Sequence, residues 1–163
     1  YANHLGIGSK VYFLDQMYSS LFATRDDIIN EYSALDAYLM PSQTEGFGLT
    51  AVEAQALGKP VVVNNAHSMP ELIIEGKTGF ISKVAHRRWT SANSFWEVAD
   101  PKSVAAAMEK TFKILQENPK QVAADCRQNV VDNFDIDEKF EKYWLPMVEK
   151  AQEEILPKEV KNG

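Results

Sequence analysis

Two carboxylates flank a pair of glycines in Pro41-Ser42-Gln43-Thr44-Glu45-Gly46-Phe47-Gly48-Leu49-Thr50-Ala51-Val52-Glu53-Ala54, with seven residues between Glu45 and Glu53. Gly46 and Gly48 permit a turn with positive φ and a close approach of the backbone to a ligand. The amides of Phe47, Gly48 and Leu49 then fall among the unpaired donors of a helix's first turn, where a charge of about +0.5 favours phosphate. An acid at Glu53 would repel that phosphate. It suits instead the acceptance of hydrogen bonds from hydroxyl groups such as those of a ribose or a sugar, each worth about 1.5–3 kcal/mol. Glu45 suits the same chemistry from the other side of the turn. Taken singly, the residues also fit plainer roles: a glycine-rich connection, a solvated helix acid at Glu53, a turn cap at Glu45. Two acids around one turn favour hydroxyl recognition.

Such a loop needs a strand before it and a helix after it, because open α/β sheets bind ligands beyond the C-terminal ends of their strands. Four short apolar runs read as strands: Val11-Tyr12-Phe13-Leu14, Ala37-Tyr38-Leu39-Met40, Pro60-Val61-Val62-Val63 and Gly79-Phe80-Ile81. Runs apolar on both faces suit buried parallel strands. Between them, helices are expected from Asp26 to Leu35, from Leu49 to Leu57 with Gly58 as its stop, and from Pro70 to Glu75. Strand and helix alternate at βαβ spacing, which predicts an α/β fold: a doubly wound, Rossmann-like parallel sheet with flanking helices. Beyond residue 100 the chain reads as helix only. One segment opens at Asp100-Pro101 and stops near Asn118-Pro119, and another runs from about Lys120 to Val131. The last, from Asp137, lines up Phe140, Tyr143, Trp144, Met147, Val148, Ala151 and Ile155, a wide aromatic stripe that needs a surface to cover. Pro146 lacks an amide donor and is expected to kink that helix.

The 163 residues carry 17 Lys+Arg against 23 Asp+Glu, a formal charge of −6, which argues against a nucleic-acid partner. The acidity lies in residues 1–80, with four basic and nine acidic side chains; residues 81–163 have 13 and 14. One cysteine, Cys126, excludes an internal disulfide framework and suits a reducing, cytoplasmic setting. No apolar run approaches the ~20 residues that cross a bilayer. The chain opens on Tyr1 rather than Met, so further sequence is expected upstream.

The segment around Glu45 resembles the signature of GT-B-fold, family 4-type retaining glycosyltransferases: a Pro-Ser pair, then Glu-Gly-Phe-Gly-Leu, then a second glutamate at the spacing of Glu53. Tyr32-Ser33-Ala34-Leu35-Asp36-Ala37, Gly58-Lys59-Pro60-Val61-Val62, Pro70-Glu71-Leu72 and Gly76-Lys77-Thr78-Gly79-Phe80 resemble flanking motifs of that family in the family's order. The resemblance covers about residues 4–82 strongly and 99–145 loosely. It implies the C-terminal, donor-binding domain of such an enzyme, with a βα core over about 1–82, an insertion at 83–98 and a helical tail over 99–163 that crosses to an N-terminal domain upstream. It implies that Glu45 contacts the donor sugar as the catalytic residue. Gly46, Phe47, Gly48 and Leu49 would hold sugar and diphosphate, and Glu53 the ribose. The substrate is then a nucleotide diphosphate sugar, transferred with retention to a saccharide or glycolipid acceptor, with no metal and no bound cofactor. The family's diphosphate-binding Arg and Lys precede Tyr1, so this segment alone is expected to be inactive. One departure is the loop Ala66-His67-Ser68-Met69-Pro70, where the family has paired glycines; His67 there joins the donor-site candidates. Another GT-B enzyme, an epimerase or a phosphorylase, and a non-catalytic sugar-nucleotide sensor are the alternatives.

Other motifs carry plainer expectations. Asp135-Ile136-Asp137 fits helix capping better than metal binding, and His4 and His86 have no cluster partners that would make a zinc site. Lys83 to Trp96 holds two arginines and two tryptophans, suited to an acceptor, a lipid surface or another domain, or to an ordered flap over the sheet edge. Peripheral membrane association stays open on this basis. Cys126 is expected to be a buried helix residue.

Overall fold

The computed structural model describes residues 2–13 and 23–155, without the side chain of Ile155. The chain divides into two compact units, Tyr1–Leu35 and Asp36–Gly163. In the first, a 3-10 turn spans Gly8–Lys10, and helix α1 spans Arg25–Ala34. Thr24 and Asp27 close the start of α1 reciprocally: the Thr24 side chain accepts from the Asp27 amide, and Asp27 accepts from the Thr24 amide at 2.8 Å. Hydrogen bonds from the Thr24 backbone and hydroxyl hold the Asp27 carboxyl below its ordinary pKa. The strand expected at Val11 is a correction. Val11–Phe13 pair with no strand among the described residues, Tyr12 and Phe13 are each 88% exposed, and Leu14 lies outside the described residues. An apolar run supplies side chains for a strand but not the neighbour its backbone needs.

The second unit holds the sheet. β1 (Tyr38–Met40), β2 (Val61–Asn64) and β3 (Gly79–Ser82) run parallel in the order β1-β2-β3. Met40 pairs with Val63, and Asn64 with Ser82. All four residues of β2 are buried, as a strand covered on both faces requires. Val62 and Leu39 face Met108, Thr111 and Leu115 of α3 (Pro101–Glu117). Met40, on the other face, receives the Thr50 hydroxyl from α2 (Leu49–Ala56). α2 packs in turn on α4 (Pro119–Phe134). A buried amide chain fixes that layer: Asn129 Nδ2 donates to Gln55 Oε1 at 2.8 Å, and both side-chain amides donate to the Leu72 carbonyl. Gly79 sits so close to the Val61 carbonyl that no side chain fits there. Cys126 is buried, as expected, and burial pushes its thiol pKa up to about 12.

Between β2 and β3 the expected helix from Pro70 to Glu75 is only a 3-10 turn, Met69–Leu72. Ile73 is already extended, and the Thr78 hydroxyl accepts from the Ile74 amide at 2.8 Å, drawing the chain into the turn around Gly76 instead of another helical turn. After β3 the chain forms an antiparallel hairpin, β4 (Val84–Trp89) and β5 (Phe95–Ala99), with Asn93 at φ 58° in its connection. The terminal helix is composite: α5 (Ile136–Lys139), a π-helical turn (Phe140–Trp144) and α6 (Leu145–Ile155). Asp135 caps it by accepting from the Asp137 and Glu138 amides, the role expected of the Asp-x-Asp motif. The π turn, in which the Leu145 amide reaches back to the Phe140 carbonyl, comes immediately before Pro146. Phe140, Tyr143, Trp144 and Met147 are each about half exposed.

Candidate functional site

The residues singled out by type and spacing gather at the C-terminal edge of the parallel sheet. Met40 ends β1, and the chain runs through Pro41 to Phe47 into α2. Gly48 is the N-cap of α2 in the left-handed region, at φ 94° and ψ 46°. A Cβ there would lie 2.7 Å from Leu72 Cδ1 and 3.3 Å from Met40 Cε, so both conformation and packing demand glycine. Gly46 differs: it has no positive φ, and a Cβ on it would meet nothing within 4 Å. Of the two glycines expected to shape the turn, only Gly48 does so; Gly46 leaves open space over the loop.

No side chain caps α2, and the first acceptor–donor closure is the Ala51 amide to the Gly48 carbonyl at 3.0 Å. The amides of Gly48, Leu49 and Thr50 therefore open the helix with no acceptor among the described residues, which is the electropositive end an anion seeks. Phe47 is anchored by its ring, which meets Phe134 edge-on at 6.0 Å, and by its carbonyl, which accepts from the Ser68 hydroxyl at 3.0 Å, while its amide has no acceptor among the described residues. Glu45 is half-buried just before the turn and has no hydrogen-bond partner among the described residues. Glu53 lies on the exposed side of α2, one turn beyond its start.

The loop after β2 reaches the same edge. His67 is exposed and takes φ 51°, a left-handed conformation that non-glycine residues rarely adopt. Buried Ala66 and Met69 hold it from either side, and Ser68 ties it to the glycine turn. Where the family has paired glycines, histidine here occupies a backbone conformation glycine would take freely.

Three further residues were not singled out. Asn64, fully buried at the end of β2, donates from Nδ2 to the Ser42 carbonyl at 3.1 Å and to the Glu97 carbonyl at 2.7 Å. Gln43 is gripped from the hairpin twice, by the Glu97 amide on its carbonyl at 2.9 Å and by Arg88 Nη2 on its Oε1 at 3.3 Å. Ser68 completes the set. The only sequence signal was Asn64 itself, a polar residue closing an otherwise apolar Val-Val-Val run. No three His, Cys, Asp or Glu side chains cluster in a metal-binding arrangement among the described residues. No helix there is long and apolar enough to cross a membrane.

Comparison with known proteins finds relatives of the chain by sequence and by fold. The family model described as "Glycosyl transferases group 1" matches residues 2–93, more than half of the chain. A D-inositol 3-phosphate glycosyltransferase of Mycobacterium sp. (strain KMS) is 41% identical over 78 residues, 48% of this chain and 16% of that protein. One from Mycolicibacterium gilvum (strain PYR-GCK) is 36% identical over 108 residues, 65% of this chain and 23% of that one. The chain thus spans between about a sixth and a quarter of the length of these relatives. Among solved structures, Anabaena Alr3699/HepE in complex with UDP and glucose superposes with a TM-score of 0.62 at 22% identity, covering 91% of this chain and 34% of that one. That likeness establishes the GT-B-type fold.

Proposed function

The chain belongs to the group 1 glycosyl transferases, and from that premise we propose that it binds a nucleotide diphosphate sugar and, within the whole protein, transfers the sugar to an acceptor. The observation that carries the reading is the uncapped start of α2 at Gly48, set between Glu45 and Glu53 at the C-terminal edge of the sheet. The amides of Gly48 and Leu49 meet the diphosphate, whose charge needs no metal if helix N-terminus and basic side chains neutralise it. Phe47 and Gly46 bring backbone close to the sugar. Glu53 accepts from the ribose hydroxyls, and Glu45 accepts from the sugar and favours the positive charge that develops as the bond to the leaving diphosphate breaks. His67 borders the sugar and narrows the choice of donor. The product keeps the donor's anomeric configuration.

The acceptor, a saccharide or glycolipid, binds mainly to a second domain outside residues 1–163, and the exposed aromatic stripe of the terminal helix docks on that domain. The segment alone is then inactive. The protein works in the cytoplasm, with any membrane contact peripheral. The UDP complex of the Anabaena neighbour makes UDP-sugars the first donors to test.

The test is donor consumption by the whole protein across UDP-, GDP- and ADP-sugars, with Glu53→Ala alongside. Loss of a ribose contact of about 1.5–3 kcal/mol predicts a roughly 10- to 150-fold weaker donor interaction. Nucleotide binding without consumption of any donor would favour a sensor instead.

A further inference from the structure

We propose that the β4–β5 hairpin positions Glu45, with Arg88 acting through Gln43 as the positioning residue and Asn64 pinning both to the sheet; the inference rests on the reading of Glu45 as the residue facing the donor sugar. Glu45 has no hydrogen bond of its own among the described residues, so the loop backbone decides where its carboxylate stands. That backbone is held just ahead of it, at Ser42 and Gln43, and every clamp comes from β2 or the hairpin. The Glu97 amide donates to the Gln43 carbonyl at 2.9 Å, Arg88 Nη2 to Gln43 Oε1 at 3.3 Å, and Asn64 Nδ2 to both the Ser42 and Glu97 carbonyls.

The two adjacent arginines divide the work. Arg87 is taken by Glu97 in an ion pair of 2.7 Å. Arg88 has no carboxylate partner among the described residues; its guanidinium lies over the Trp96 ring at 5.4 Å, which fixes the fork that grips Gln43. The hairpin is itself anchored at its base, where the Asp100 amide donates to the Lys83 carbonyl at 2.8 Å beside the end of β3. Asn64 makes its two bonds while its Oδ1 stays buried without a partner, as does Oγ of its register neighbour Ser82. An apolar residue would avoid that cost, so what the Asn64 amide gains lies in its Nδ2 contacts.

The test uses the whole enzyme and whichever UDP-, GDP- or ADP-sugar it consumes. Arg88→Ala and Gln43→Ala should each lower kcat about 10-fold, part of the roughly 100-fold that a 1 Å misplacement costs. The donor's KM and the affinity for its free nucleotide should stay within about twofold, because neither side chain touches the nucleotide. The double variant should be no slower than Gln43→Ala, since Arg88 works through Gln43. Arg88→Lys, which keeps a cationic donor, should recover part of the loss. Amide exchange at Glu45 and Gly46 should quicken in Arg88→Ala while the β4–β5 ladder stays protected, which separates repositioning from unfolding. A wild-type kcat in Arg88→Ala, or losses that multiply in the double variant, overturns the proposal. Glu45→Gln serves as the reference: if it transfers at the wild-type rate, the reading of Glu45 fails and the hairpin's role with it. If Glu45→Gln is slow while Arg88→Ala is not, only the hairpin's role fails.

Discussion

Two helices begin near the same edge of the sheet and are finished in opposite ways. At α3, Asp100 accepts from the Lys102 and Ser103 amides, and Pro101 removes a donor from the first turn. That start is closed and already carries its negative charge. At α2 the N-cap is a glycine with no side chain to offer, and Gly48, Leu49 and Thr50 keep their amides. The difference is one of destination. A helix whose end serves only the fold is satisfied from within the chain, whereas an end left open by an obligatory glycine leaves its donors available, as the proposed donor site requires.

The comparison breaks hardest at Gly48. Gly48→Ala forces a side chain into the left-handed region and against Leu72, and should cost about 2–4 kcal/mol in denaturant unfolding while abolishing nucleotide binding. An unchanged midpoint would show that the turn relaxes and that the α2 start is not built around this residue. Glu53→Ala comes next: a donor interaction weaker by about 1.5–3 kcal/mol, read by calorimetry with the nucleotide, and no loss of stability of that size. Asp100→Ala is the control on the closed end. It should cost about 1 kcal/mol of stability and leave donor affinity untouched, which a melting curve and a titration check together. The smallest effect belongs to Gly46→Ala, where open space holds the stability change within about 0.5 kcal/mol. Any fall in donor affinity in that variant reports directly how closely the ligand approaches the loop.

The parts of the fold that were legible in the sequence are those whose signals are local. Val61-Val62-Val63 announces a strand buried on both faces, Gly58 stops α2, and Asp100-Pro101 starts α3 within a residue of where the helix begins. The glycine turn was legible for the same reason, although only one of its two glycines has positive φ. The failures are non-local. Val11-Tyr12-Phe13 looks like a strand but has no partner among the described residues. The hairpin had no strand signature because Arg87, Arg88 and Trp89 break alternation, and its connection uses Asn93 where a glycine would have marked it. Asn64, Gln43 and Arg88 lie 21 and 24 residues apart in successive steps from Gln43, so their meeting is a property of strand order and no spacing rule reaches it.

The π turn at Phe140–Trp144 also bears on how this chain tolerates changes of length. Five residues there do the work that an α-helical turn would do with four, so the segment carries one residue more than a regular helix needs. Deleting any one of them would let the backbone heal into continuous α-helix at little cost. Everything after it would then keep its place around the axis, because the surplus residue is absorbed within the turn; only straightening the turn with all five residues kept would swing Met147 and Val148 by about 100°. The π turn thus absorbs one surplus residue without changing the phase of the terminal helix. Two homologues that differ by one position in this stretch would therefore present the same face to whatever the helix meets, one through a π turn and the other through unbroken α-helix.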